Sequence, residues 1–191
     1  MAVNLYVRSV YTLLSSMCSI EDTIYLCKEY GYKSLAIVDK NVLQGAMNFK
    51  KAALKNGIKP IFGLEVDVEI NDNAYPVILY AKDDEGYEGL MGLSSYICTN
   101  QLEKISLDVL NEYRKHNFLV LLSDSMPLTS AIDKNENIDE TLKQMKEDFG
   151  DFLVGLVDHN ISANLNRDKK IKTVLKRNEI KTLAVTYFLS T

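Results

Sequence analysis

An α/β architecture, a mainly parallel sheet with helices outside it, follows from two observations on this chain of 191 residues. Apolar runs of strand length recur along it, and they are nearly continuous rather than alternating, as strands covered on both faces are. Most of these runs are separated by stretches of helical pattern, the arrangement of βαβ units. About seven strands in this length suit a barrel or a curved open sheet better than a sandwich.

The strand candidates, in order, are Asn4 to Val7, Ser34 to Val38, Pro60 to Ile70, Tyr75 to Ala81, Asn117 to Leu122, Phe152 to Val157 and Lys181 to Val185. Ser19-Ile20-Glu21-Asp22 reads as a capping box opening a helix that closes near Gly31, and Asn41 is a candidate cap for one closing at Asn56-Gly57. Further helical patterns run from Asp84 to Ile97, Leu107 to Lys115, Ile138 to Phe149 and Asn166 to Asn178. The exception to strand–helix alternation is Asn71-Asp72-Asn73, a turn that joins two strands directly as a hairpin. Repeats, low-complexity tracts and linkers are absent, so one domain spanning residues 1–191 is expected.

Hydrophobic residues make up 47% of the chain, enough for one ordinary core. Lys+Arg 22 against Asp+Glu 26 gives a net charge of −4 with no basic run, a poor footprint for binding DNA alone. The three cysteines, Cys18, Cys27 and Cys98, are odd in number and form no C-x-x-C, which speaks against a disulfide framework and a zinc site. A reduced, cytoplasmic setting fits best. The amino terminus has no signal pattern, and the longest apolar runs, such as Phe118 to Leu122, fall far below the ~18 residues of a membrane span.

Three strings carry a resemblance: "NLYVRSVYTLLSS", "SLAIVDKNVLQGAMNFKKAALKNGIKPIFGLE" and "LYAKDDEGYEGLMGLSS". They are similar to the opening of the alpha subunit of bacterial DNA polymerase III, the PHP (polymerase and histidinol phosphatase) domain, and "LSS" and "DKNV" look most like the versions of low-GC Gram-positive bacteria. The middle string is the most specific, with the strand, the acid at its end, "GAM-F-KA" and "GIKPI-G-E" in order. The resemblance implies a distorted (β/α)7 barrel of the PHP type, mainly parallel with one hairpin. It also implies that the chain is the amino-terminal excerpt of a much longer DNA-directed DNA polymerase, a nucleotidyltransferase, and an abrupt end after "YFLST" suits an excerpt.

Active members of the family hold divalent metals at the carboxyl ends of the barrel strands, with His, Asp and Glu as ligands and a metal-bound hydroxide for phosphoester hydrolysis. Against that pattern, Asn4 and Arg8 stand where the family begins with His-x-x-x-His. The acid after the second strand is kept as Asp39, but the adjoining His is Lys40. Glu65 is kept, a family His falls at about Pro76, the Ser-Gly-Cys region reads Ser123-Asp124-Ser125, and Gly155 stands where an acid is usual. The closing Asp and His are missing from Ala184 to Thr191. Of the two histidines, His116 precedes a strand on the side away from the ligand end and reads as a surface residue. His159 matches a family His and could point into the cleft, or simply make a loop contact.

The resemblance therefore implies a vestigial cleft of Asn4, Arg8, Asp39, Lys40, Glu65 and His159, with no catalytic residue, no metal and no cofactor in this domain. Arg8 and Lys40 would supply the positive charge that metals once supplied. The leading expectation is a catalytically silent structural and interaction module in DNA replication. Its partners would be the remainder of the polymerase chain and other replisome proteins, with DNA reached only through the parent polymerase and no membrane. The alternative is a metal-dependent phosphoesterase or proofreading nuclease with a reduced metal site at Asp39, Glu65 and His159. The residues also allow plainer roles. Asp39 could stabilise a helix amino terminus, Glu65 could be a solvated strand residue, and Tyr6, Tyr11 and Tyr75 could be packing residues rather than a stacking platform. Gly86, Gly89 and Gly92 lack phosphate-loop spacing.

Overall fold

The computed structural model describes residues 3–8, 19–157 and 165–185. Their elements run β1 (Val3–Val7), α1 (Ile20–Glu29), β2 (Ser34–Lys40), α2 (Ala46–Lys55), β3 (Lys59–Ile70), β4 (Asn73–Ala81), α3 (Asp84–Asn100), β5 (Ile105–Ser106) and α4 (Leu107–Tyr113). Then follow β6 (Asn117–Leu122), α5 (Pro127–Lys134), α6 (Ile138–Phe149), β7 (Leu153–Val157), α7 (Leu165–Arg177) and β8 (Thr182–Val185). No helix of the described residues is long and apolar enough to cross a membrane.

The sheet is ordered β1-β2-β3-β4-β6-β7-β8, with β5 beside β3 off this path. Its ladders are parallel except at β4, which runs against both β3 and β6. The seven-strand path curls until β1 and β8 touch, giving a nearly closed barrel with the helices outside, the expected architecture.

Alternation along the strands sorts the core into layers. Tyr6, Val38, Ile78, Tyr80, Val120 and Leu122 pack together within the barrel, with Val157 and Val185 beside them. The intervening residues face the helices: Val7, Leu35 and Ile37 pack with Ile24 and Phe49, while Leu64, Val66, Leu79 and Leu121 pack with Leu90, Leu93 and Phe149. Each such buried side chain contributes roughly 1.5–3 kcal/mol, so both faces of the sheet are committed.

Local chemistry explains most element ends. Ser19 Oγ accepts from Asp22 N at 3.0 Å, and Gly31 follows with φ +70°, so α1 begins and ends as the capping pattern foretells. Asn71 and Asp72 both take positive φ, 49° and 63°, the conformation of a tight hairpin turn between β3 and β4. Asn41 does not cap α2. It takes φ 63°, its backbone N–H donates to the Glu65 carbonyl at 2.9 Å, and the helix starts only after Gly45.

The glycines of α3 have a packing reason. The helix lies on the turn before β6, where a Cβ on Gly86 would meet the His116 carbonyl oxygen at 2.2 Å and one on Gly89 would meet that of Tyr113 at 2.6 Å. Two elements, β5 and α5, go beyond the sequence reading. β5 is a two-residue extension beside the far end of β3, and α5 starts at Pro127 behind Met126, which offers no side-chain cap.

Candidate functional site

The site is built where β1 ends and β3 passes its middle. Tyr6 lies in β1 and Arg8 just beyond it, while the β2–β3 ladder sets Lys40 level with Glu65. β3 is long, so Glu65, Asp67 and Glu69 recur on one of its faces with valines between them.

Glu65 is the centre of the arrangement. Its side chain is only 3% exposed, against 28% for Arg8. Arg8 Nη2 donates to both carboxylate oxygens, at 2.8 Å to Oε1 and 2.7 Å to Oε2. The buried Tyr6 hydroxyl donates to Oε2 at 2.5 Å, and the Arg8 guanidinium lies 5.5 Å from the Tyr6 ring centre. Such charge-assisted bonds are the strong class, and both oxygens of Glu65 are taken. Burial alone would depress the Arg8 pKa, yet the Glu65 charge and hydrogen bond, with smaller help from Tyr6, leave it raised. Burial and then the Glu65 charge push the Tyr80 hydroxyl well up, so Tyr80 stays protonated beside the carboxylate.

Lys40 takes a different acid. Its Nζ lies 2.7 Å from Asp67 Oδ2, with side chains 37% and 25% exposed. The cleft rim thus carries a second, wetter ion pair, of the class worth little to stability.

The other expected site residues fall as follows. Asp39 is 3% exposed, and strand alternation carries it, after Leu35 and Ile37, to the face of β2 opposite Lys40. Asn4 is paired in register with Leu35. His159 lies outside the described residues. Gly155 is walled in: a Cβ there would lie 2.7 Å from Val185 Cγ2 and 3.3 Å from Leu122 and Val120 side-chain carbons. That wall is apolar and has no room for a carboxylate. Ser123, at the end of β6, is buried and structural, its Oγ accepting from Val157 N at 3.0 Å and its carbonyl from Thr129 Oγ1 at 2.6 Å. His116 stands apart from the cleft, exposed, with Asp83 at 3.0 Å and Glu85 at 3.1 Å.

The donor set does not suit a metal cluster. Among the described residues no group of three or more His, Cys, Asp and Glu side chains could hold a metal ion, and the best-placed carboxylate already binds a guanidinium. These residues do not fit the family's metals. Sequence reasoning missed Tyr6 as a carboxylate donor, Asp67 as the partner of Lys40, and Tyr80 as a neighbour of Glu65. Asp67 was findable, because it lies two residues from Glu65 on a strand and so shares its face.

The chain is 41% identical over 105 residues to DNA polymerase III subunit alpha of Halalkalibacterium halodurans, covering 54% of this chain and 9% of that one. For the Bacillus subtilis subunit the identity is 37% over 116 residues, 59% of this chain and 10% of that one. For Staphylococcus aureus it is 34% over 120 residues, covering 63% and 11%. The matched stretch is thus about a tenth of each relative. Among solved structures, a protein described as a metal-dependent phosphoesterase from Bifidobacterium adolescentis superposes with TM-score 0.61 at 10% identity, covering 96% of this chain and 85% of that one. An amidohydrolase from Chromobacterium violaceum, with bound sulfate and no metal, gives TM-score 0.63 at 11% identity, covering 97% and 87%. At such identities the likeness speaks for the fold alone. The PHP domain family profile matches residues 4–159, most of the sequence, and the chain belongs to that family.

Proposed function

We propose that this chain is the PHP segment, one domain over residues 1–191, of a cytoplasmic DNA polymerase III alpha subunit acting in DNA replication. In this reading it is catalytically silent. It braces the polymerase core and offers surfaces to other replisome proteins, while nucleotide transfer is done by residues elsewhere in the longer subunit. The relatives support the setting, since all three are alpha subunits.

The observation that carries the silence is the hold of Arg8 on both oxygens of Glu65, with Tyr6 as a further donor. A fixed guanidinium neutralises the buried carboxylate, and it would repel a divalent cation brought to the same oxygens. The cleft then serves stability instead of hydrolysis. The test is elemental analysis of protein purified without chelator, followed by phosphodiester assays with added manganese or zinc. Well below one equivalent of metal and no hydrolysis are expected. Stoichiometric metal that disappears in Glu65→Gln would overturn the reading in favour of a reduced phosphoesterase site.

A further inference from the structure

The barrel has a second opening, at the amino ends of its parallel strands, away from the cleft. The start of β3 (Pro60, Ile61, Phe62), the end of the antiparallel β4, and the first residues of β6, β7 and β8 surround a cavity of about 460 Å³. That volume lies in the ~300–1,000 Å³ range of small-molecule sites. Ile61, Val120, Leu153 and Leu183 give it an apolar lining, and Phe62, Tyr80, Tyr87 and Phe118 add aromatic rings. Phe62 and Tyr87 pack against each other with ring centres 4.9 Å apart, a preassembled wall.

Phe118 is the unusual residue. It is 50% exposed, although it sits in a central strand whose next inward residue, Val120, is fully buried. Lys82 Nζ stands over its ring at 4.7 Å from the centre. A large aromatic left wet beside a cation, at the mouth of an apolar cavity, offers a stacking face with a charge next to it.

The rim fixes the charge of the occupant. Lys50, Lys59 and Lys82 line the cavity, and none of them meets a carboxylate in an ion pair among the described residues. Two acids also line it, but Asp83 is engaged, Oδ1 by Gly86 N at 2.9 Å and Oδ2 by His116 at 3.0 Å. Two acids thus oppose three lysines, Asp83 lying in the field of Lys82, and one positive charge is in excess. A neutral aromatic would leave that excess unanswered. A phosphate group matches it better, since lysine ammonium groups bind phosphate as point charges.

We propose that this amino-terminal mouth is a binding site for a small aromatic phosphate of mononucleotide size, with its ring on the Phe118 side and its phosphate toward Lys50, Lys59 and Lys82. Tyr80, a neighbour of Glu65, also lines this cavity, but the proposed contacts are those of Lys50, Lys59, Lys82 and Phe118, so the proposal does not depend on the reading of the cleft.

The test is an NMR titration of the ¹⁵N-labelled full chain with adenosine 5′-monophosphate, with adenosine and inorganic phosphate as separate arms. Saturable shifts centred on Lys82, Tyr87 and Phe118 are expected, with both part-ligands at least tenfold weaker. Lys50→Gln with Lys59→Gln should weaken binding about tenfold, because each exposed ionic contact is modest. Phe118→Ala, a change at a half-exposed position, should weaken it while leaving the spectrum folded. No saturable binding at millimolar nucleotide would overturn the proposal. So would binding that survives these substitutions, or binding whose shifts centre on Arg8 and Glu65.

Discussion

Arg8→Ala would leave the Glu65 carboxylate buried with the Tyr6 hydroxyl as its remaining described donor. A fully buried orphan charge costs ~3–5 kcal/mol, and the partial exposure of Arg8 brings the expected loss to about 2–3 kcal/mol. Glu65→Gln should cost less, and the double substitution should fall short of the sum by at least about 0.5 kcal/mol. Urea denaturation of all four proteins measures this coupling, and strictly additive losses would contradict it. His116 offers a pH test of the same kind on an exposed pair. Its pKa is raised from 6.5, chiefly by the hydrogen bond to Asp83, while the pKa of Asp83 is lowered from 3.8, chiefly by the same bond. A raised cation stabilises fully below its unfolded pKa and loses that contribution as pH climbs through the folded one. A depressed acid stabilises above its unfolded pKa and loses that as pH falls. The pair should therefore add to stability fully between about pH 3.8 and 6.5, and His116→Asn should lower that plateau of the urea-midpoint profile and flatten its fall above pH 6.5. Little of this was readable residue by residue. That Arg8 and Lys40 face acids followed from the pattern, but which acid each takes depends on strand stagger, which sets Lys40 beside Glu65 and yet delivers its amine to Asp67.

Elements were legible where their ends carry chemistry of their own. α1 has a Ser cap and α6 an Asn cap, and β6 is a run of apolar residues bounded by polar ones. α5 has only Pro127 at its first turn to announce it, a signal that is easily read as a loop residue. Asn41 misled because a left-handed Asn and a helix-capping Asn look alike in sequence, and the difference lies in a backbone bond to Glu65. The glycines of α3 illustrate a pattern whose meaning is purely spatial. Gly86→Ala should raise intrinsic helix propensity by up to ~1 kcal/mol and nevertheless destabilise the protein. The added carbon would meet a backbone oxygen at 2.2 Å, which cannot rotate away. A net loss of about 1–3 kcal/mol in thermal or urea unfolding is expected, and a Gly86→Ala protein as stable as its parent would refute the close approach.

At the scale of the whole molecule, the barrel was readable because seven apolar runs and the helices between them leave few alternatives. Its closure was not, since no local pattern says that β1 and β8 meet. β4, the one strand antiparallel to its neighbours, gives the molecule an unequal set of distances along the chain. Its partner β3 is joined to it by Asn71 and Asp72 alone, so Val66 and Val77 find each other by closing a short loop. β1 and β8, by contrast, come from opposite ends of the sequence. Loop closure costs more entropy the longer the loop, so the hairpin has reason to form first and the barrel seam last. Val77→Ala should then slow refolding, with a φ-value of about 0.5 or more, whereas Val185→Ala should chiefly speed unfolding, with a φ-value of about 0–0.3. Stopped-flow chevrons of the two variants would decide it, and the reverse order would mean that this barrel starts to fold from its seam.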